Sequence, residues 1–199
     1  FQPTLKVAET WHAQAPASYS LTQKVTLPAG GYRLTGYSFF IHDQEKEEEK
    51  VAQIVAGSDT QTVIEADVNE FPNSSQALED AAKAFYTDNK YLNTLYFFLP
   101  QETTLNLGYE GEFSRSESAI WVAMGAVRLY TLSMEEYQAQ FQILYGQLQE
   151  YAALTAGLNT LISPTLEKYE DFEGTSTAEY NQAYAEMNKL KNSVENFPD

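Results

Sequence analysis

The sequence predicts an antiparallel β-sandwich with one inserted helix, followed by a helical hairpin or a three-helix bundle. Before Met134, short runs rich in β-branched and aromatic residues alternate with turn residues. After Met134, apolar residues recur at helical spacing. We therefore expect two modules, with residues 1–133 forming the sandwich and residues 134–199 forming the helices.

The clearest strand signal lies near the N-terminus. In residues 17–27 the alternation places Tyr19, Leu21 and Val25 on one face. The following Pro-Ala-Gly-Gly segment favours a tight turn, because proline fixes φ and glycine tolerates positive φ. Residues 32–41 then continue as an extended run, so the pattern predicts that they form a hairpin with residues 17–27.

The rest of the first module also alternates strand-like runs with turn and loop residues. Residues 42–50 carry a run of charges, which is typical of a solvated loop. Helical spacing marks residues 74–88, where Asn73 is a plausible N-cap. Further strands are expected at residues 51–56, 61–67, 94–99, 103–109 and 119–132, which makes seven or eight strands in all.

A heptad seam defines the second module. Its apolar positions are Tyr137, Phe141, Leu144, Leu148, Tyr151, Leu158 and Ile162. Ser133 and Glu136 have the spacing of a capping box at the start of this helix. Pro164 predicts an end near Ser163. A short helix is expected within 165–173, and a last helix over 178–196 with Thr177 as its N-cap.

Composition limits the partners. The chain is 43% hydrophobic and 14% aromatic, enough for a substantial core. It carries 28 acidic and 12 basic residues, a formal net charge of -16. Nucleic acid binding needs clustered Lys and Arg, so we expect no nucleic acid partner. No stretch approaches the roughly 18 apolar residues that span a bilayer, so we expect no direct membrane insertion.

Several segments, in their order, resemble a known family. The strands and the loop-helix of galactose-binding-domain-like jelly rolls are similar to five parts of this chain: Trp11, residues 23–35, residues 81–85 with 91–94, residues 105–109 and residues 121–130. These jelly rolls occur in secreted and surface proteins of polysaccharide-degrading gut bacteria, and the resemblance covers roughly residues 8–132. It implies an antiparallel jelly roll and non-catalytic carbohydrate binding outside the cell or at its surface. Because the chain begins with Phe1, we expect any signal peptide or lipid anchor to lie upstream.

The resemblance also bears on calcium. Family members often hold a structural Ca²⁺ near the strand ends, and their closing strand usually carries an Asp where this chain has Gly125. No motif therefore supports a calcium site. We expect no cofactor, with a structural calcium as the alternative. The absence of cysteine also excludes disulfides, thiolate metal sites and cysteine nucleophiles.

The catalytic signals are weak. The chain has two histidines, His12 and His42, which are 30 residues apart and lack zinc-ligand spacing. It has no Gly-x-Ser-x-Gly elbow and no P-loop. Among 28 acidic residues some pair lies close whatever the function, so paired carboxylates are poor evidence for a glycosidase. We therefore expect that the chain is not an enzyme. A small esterase or glycosidase is the third hypothesis, after the two that follow.

A glycan is the expected ligand. Proteins hold sugars by stacking aromatic rings on C–H faces and by hydrogen-bonding the hydroxyls. The side chains that we expect to bind it are Trp11, His12, His42, Tyr109, Arg115 and Trp121. Core packing of Trp121 and simple loop exposure of either histidine are the alternatives. A second hypothesis for the whole chain is a structural spacer or protein-interaction module that contacts other surface proteins and has no sugar ligand.

Overall fold

The first module is built from two mostly antiparallel β-sheets. A computed structural model describes residues 4–12, 17–42, 52–71, 76–113 and 120–195. Within these residues the strands are β1 (Ala8–His12), β2 (Ala17–Leu27), β3 (Gly30–His42), β4 (Gln53–Ala56), β5 (Asp59–Thr62), β6 (Ile64–Glu65), β7 (Leu92–Leu99), β8 (Thr103–Phe113) and β9 (Ile120–Thr131). Two such sheets, in a chain that also forms helices, are consistent with the predicted β-sandwich plus helices.

The strand order differs from a simple meander. One sheet has the order β1-β9-β3-β6, with β7 also pairing with β3. The other has the order β2-β8-β4-β5. The β3–β6 pairing is parallel, with Phe39 opposite Ile64. The strand β1 was not expected from the sequence.

The predicted hairpin between residues 17–27 and 32–41 is wrong. Strand β2 pairs with β8, whereas β3 pairs with β9, β6 and β7 in the other sheet. The turn after Leu27 therefore carries the chain from one sheet to the other. A turn rich in proline and glycine reverses the chain, but it does not decide whether the two strands pair or lie in facing sheets.

Strand β3 is covered on both faces. Phe39 and Ile41 pack in one buried cluster with Ala81 and Phe85 of helix α1 (Ala77–Tyr86). On the alternate face, Gly36 lies against a side chain of the second sheet, as described below. This double burial explains why residues 31–41 are nearly continuous in buried or half-buried positions.

The side chain of Asn93 links the segments around β3 by hydrogen bonds. It is 2% exposed, and its amide nitrogen donates to the carbonyl oxygens of Ser38 (2.7 Å) and Tyr91 (3.0 Å). Its side-chain oxygen accepts from the Ile64 N–H at 2.9 Å. One buried amide thus satisfies backbone groups of three segments, which is the condition for burying a polar side chain.

Helix α1 explains the glycine of the closing strand. It is shorter than the predicted 74–88, and Asn73 lies outside the described residues. A β-carbon at Gly125 would approach the Tyr86 hydroxyl to 2.9 Å and the ring of Phe85 to 3.1 Å. A side chain at this position would therefore require the rings of Tyr86 and Phe85 to shift, so glycine is the residue that fits here without rearrangement of the helix side chains.

The chain divides into two compact units. The first comprises the described residues of Phe1–Thr26, Arg33–Phe97 and Thr104–Tyr130, and the second those of Leu27–Tyr32, Phe98–Thr103 and Thr131–Asp199. The sequence predicts a single boundary after residue 133. In the structure, Leu27–Tyr32 and Phe98–Thr103 precede this boundary but belong to the unit that contains the long helices. Within this second unit, the Leu132 N–H donates to the Gly31 carbonyl at 3.0 Å.

Three helices dominate the second unit: α2 (Met134–Leu154), α3 (Ala156–Tyr169) and α4 (Thr177–Glu195). The predicted capping box of α2 is confirmed, since Ser133 Oγ accepts from the Glu136 N–H and the Glu136 carboxylate accepts from the Ser133 N–H. The expected continuous helix breaks at Thr155, which is extended at φ -145° and ψ 156°. The Thr155 hydroxyl then caps α3 by accepting from the Leu158 N–H.

Pro164 lies inside α3, so the predicted helix end near Ser163 is wrong. Proline removes the N–H that would bond the carbonyl of Thr160. Thr160 is exposed, so water can satisfy that carbonyl. Helix α3 therefore continues through the start of the predicted short helix and ends at Tyr169.

The helices pack as a three-membered bundle. Helix α2 contacts both α3 and α4, and Phe141 of α2 meets the rings of Tyr169 and Tyr180 edge-on. The start of α4 differs from prediction by one residue, because Ser176 rather than Thr177 accepts the capping bond from the Glu179 N–H.

Candidate functional site

Two tryptophans lie directly opposite each other at the edge of the first sheet. Strand β1 is the edge strand and pairs antiparallel with β9, with Trp11 opposite Trp121 and Glu9 opposite Ala123. Residues opposite each other in an antiparallel pair project from the same face of the sheet. We call Trp11, Trp121 and Glu9 the tryptophan site.

Trp121 is the anchored member of this site. Its indole N–H donates to Glu9 Oε2 at 2.8 Å. Its ring meets Phe39 and Phe71 edge-on, with centroid distances of 5.0 and 5.4 Å. The ring is half-buried, so it is neither wholly part of the core nor wholly open to a ligand.

Trp11 is the open member of the site. Its side chain is 64% exposed, the largest aromatic exposure among the described residues with large apolar side chains. The exposed indole leaves hydrophobic area in contact with water. Covering this area with an apolar surface lowers the free energy of the system. Beside it, Glu9 is fixed by Trp121 and keeps acceptor capacity for a ligand hydroxyl, because a carboxylate has about four lone-pair sites.

Tyr109 lies in the core and not in this site. It is 1% exposed, and its hydroxyl donates to the carbonyl oxygen of Tyr37 at 3.0 Å. Burial raises the pKa of the Tyr109 hydroxyl above its usual range. The residue is on β8 in the second sheet, away from the β1–β9 edge. A ligand at the surface cannot contact it, so its expected binding role is not supported by its position.

The remaining predicted residues are only partly described. His12 ends β1 opposite Ile120, and His42 ends β3. Their side chains, and all of Arg115, lie outside the described part of the chain. The structure therefore brings together Trp11 and Trp121 of the six predicted residues.

A cavity on the first sheet was missed by the sequence analysis. It has a volume of about 200 Å³ and lies where β3, β9 and the end of α1 meet. Two arginines, Arg33 and Arg128, line it together with Tyr86 and Tyr130. The available signal was the Arg-Leu-Tyr alternation in residues 128–130, which places Arg128 and Tyr130 on one face of a strand.

Two further features are absent from the described residues: a metal-binding cluster of side chains and a helix able to cross a membrane. In that part of the chain, no group of three or more His, Asp or Glu side chains is placed to hold a metal ion. No helix in the same residues is long and apolar enough to cross a membrane.

Comparisons with protein-family models, with curated proteins and with solved structures found no match. The function of the tryptophan site has to be inferred from its own geometry and chemistry.

Proposed function

We propose that this chain is a non-catalytic carbohydrate-binding module of the galactose-binding-like jelly-roll type, acting outside the cell or at its surface. The observation that carries the proposal is the exposed Trp11 placed opposite the anchored Trp121. The ligand is a glycan whose sugar ring lies against the Trp11 indole. The sequence resemblance described above supports the jelly-roll assignment.

The chemistry of the site favours a neutral sugar there. The apolar C–H face of a pyranose ring covers the exposed indole and removes apolar area from water. Glu9 accepts a hydrogen bond from a sugar hydroxyl, and its position is held by the Trp121 N–H. The same carboxylate repels an acidic sugar at this point, as does the net charge of -16.

Calorimetric titration with a panel of neutral plant, host and microbial polysaccharides tests the proposal. We expect heat of binding with at least one polysaccharide. We also expect a loss of at least about tenfold in affinity for Trp11→Ala, because truncating an aromatic hot-spot residue costs about 2 kcal/mol or more. Leu21→Ala is the matched control, since Leu21 is also an exposed apolar residue but lies on β2 of the other sheet. Absence of heat with every polysaccharide would overturn the proposal.

One observation favours a protein-interaction module as the second candidate. The helical unit exposes several large apolar side chains, among them Leu154, which is 68% exposed, and Ile143, which is 54% exposed. Exposed apolar area of this kind is common at protein interfaces. If this candidate is correct, the wild-type chain captures a surface protein and the Leu154→Ser variant does not. No glycan then gives heat of binding.

A further inference from the structure

A cavity at the start of α4 lies wholly within the second compact unit. It has a volume of about 440 Å³, which falls within the roughly 300–1,000 Å³ of most ligand sites. Its wall is formed by the first turns of α4, by Tyr137 of α2, by Pro100, and by the turn at Ala29 and Gly30. We call it the α4 cavity.

Asn181 gives the α4 cavity an unsatisfied acceptor. The residue lines the cavity and is 8% exposed, and its amide nitrogen donates to the Leu99 carbonyl oxygen at 3.0 Å. This bond decides which end of the amide faces Leu99, so Oδ1 is the end turned away from it. No group among the described residues donates to Oδ1. A buried acceptor without a donor costs free energy, and a ligand O–H or N–H at this atom removes that cost.

The lining favours a neutral ligand. None of the described residues that line the cavity is Asp, Glu, Lys or Arg, although the chain carries 28 acidic residues. A cationic ligand would lose hydration here without a carboxylate to replace it, and an anionic group would place a second acceptor against Oδ1. The polar side chains of Thr177 and Gln182 are exposed at the cavity, and both types can donate and accept hydrogen bonds.

Tyr137 supplies a fixed apolar wall. It is 4% exposed, and its hydroxyl accepts a hydrogen bond from the Gly31 N–H. A β-carbon at the neighbouring Gly30 would lie 3.6 Å from the same hydroxyl, so this turn packs closely against the ring. The α4 side of the wall carries the small side chains of Ala178 and Ala185. A rigid ring on one side and small residues on the other leave room for a ring-sized body.

We propose that the α4 cavity is a second sugar-binding site, in which one unit of a neutral glycan donates a hydroxyl proton to Asn181 Oδ1. Because this oxygen is buried, a small outward movement of the neighbouring wall accompanies binding. The choice of a sugar rests on the proposed function, whereas the requirement for a neutral donor rests on the cavity alone.

The test is a chemical-shift titration of the full chain, at fixed ionic strength, with the neutral methyl glycosides of glucose, galactose, mannose and xylose. The side-chain NH₂ signals of Asn181 are the reporter, because a ligand at Oδ1 perturbs the same amide group that donates to Leu99. We expect at least one glycoside to shift these signals in a saturable way. Its amino sugar counterpart, which carries an ammonium group, should bind no more tightly, and tighter binding would overturn the preference for a neutral ligand.

Ala178→Leu is the principal variant, because Ala178 is an exposed lining residue and its substitution should leave the fold intact. We expect it to weaken glycoside binding at least about tenfold, since the larger side chain fills part of the cavity. Ala153→Leu makes the same change at an exposed position of α2 outside this lining and should leave binding unchanged. Asn181→Leu removes the acceptor and should also abolish binding, with urea unfolding as the check that the variant folds.

Binding of no glycoside, or binding that Ala178→Leu leaves unchanged, would overturn the second site. If Trp11→Ala still weakens polysaccharide binding in that case, the proposed function stands. Ala178-dependent binding of a glycoside to a chain whose Trp11→Ala variant binds polysaccharides normally would support the second site and remove the tryptophan site. Ala178-dependent binding of the peptide-like probe N-acetylalanine methylamide, with no glycoside bound, would overturn the choice of a sugar.

Discussion

The hydroxyl of Tyr109 occupies the space that a β-carbon on residue 36 would need. Gly36 is on β3 and Tyr109 is on β8, so the two sheets approach closely at this point because one residue has no side chain. The hydroxyl passes the glycine and donates to the carbonyl of the next residue, Tyr37. A buried polar tip is thus satisfied by backbone that only glycine leaves accessible.

The Gly36–Tyr109 contact predicts a strong coupling between the two positions. Gly36→Ala should lower the free energy of unfolding by about 2 kcal/mol or more, because the added methyl overlaps the hydroxyl. In a Tyr109→Phe background the same substitution should cost clearly less, since the overlapping oxygen is gone. Urea unfolding of the four chains of this double-mutant cycle measures the difference. An equal cost of Gly36→Ala in both backgrounds would contradict the contact.

Asn93 should be among the least replaceable polar residues of the first unit. Asn93→Ala leaves the Ile64 N–H and the Ser38 carbonyl without their partner, so we expect a loss of about 2–4 kcal/mol in urea unfolding. Asn93→Asp should be no better at neutral pH, because it places a carboxylate oxygen against two carbonyls. Asn106→Ala, at an exposed position of β8, is the control and should change stability by less than about 0.5 kcal/mol. Similar losses for both alanine variants would refute this role.

Pro164→Ala should stabilise the protein. The substitution restores an N–H that can bond the carbonyl of Thr160 of α3, and it removes a ring that generally disfavours a regular preceding turn. We expect the free energy of unfolding to rise by about 1–3 kcal/mol. Glu167→Ala, at an exposed position one turn further along α3, should change little. A destabilised Pro164→Ala variant would show that the proline has a packing role that the helix geometry does not reveal.

Glu186 should give the helical unit a small stability change in acid. The Lys168 ammonium and the Tyr169 hydroxyl donate to Glu186 Oε2 at 2.6 and 2.8 Å, and these bonds, with Lys168 first, hold the pKa of the carboxyl below its ordinary value of 4.5. A lowered folded-state pKa means that the stabilisation is present above pH 4.5 and is lost as the pH falls through the lower value.

The pH dependence can be assigned to this carboxyl by comparison with Glu186→Gln. The variant should be less stable than the wild type near pH 6, and the gap should close as the pH falls below 4.5 and through the lowered pKa, where the wild-type carboxyl gains its proton. The effect should be small and should shrink in high salt, because both partners are largely exposed. A gap that stays constant between pH 6 and pH 3 would exclude Glu186 as its source.

Local signals in the sequence predicted the elements better than their pairing. Ser133 and Glu136 marked the start of α2 correctly, because a cap depends only on residues three apart. The partner of β2 was predicted wrongly. Its partner is β8, which begins at Thr103, and the turn after Leu27 carries no information about a strand so far along the chain. The proline rule failed at Pro164 since solvent can satisfy a free carbonyl on an exposed helix face.

The candidate sites show the same division. Trp11 could be identified from sequence as a large aromatic residue outside the strongest apolar runs, and it is exposed. Tyr109 looked equivalent, yet a hydroxyl that reaches a backbone carbonyl across two sheets cannot be recognised from spacing. The arginine cavity needs β3 and β9 to be neighbours, and these strands are about 90 residues apart in the chain.

Intrinsic fluorescence tests the central claim most directly, because the only two tryptophans of the chain are Trp11 and Trp121. Every change in tryptophan emission therefore reports on the tryptophan site. Addition of a glycan that binds calorimetrically should shift the emission to shorter wavelength as the sugar covers Trp11. Trp11→Ala should abolish this shift and weaken binding by at least about tenfold. A glycan that binds with unchanged emission, or that binds Trp11→Ala as tightly as the wild type, would contradict the account.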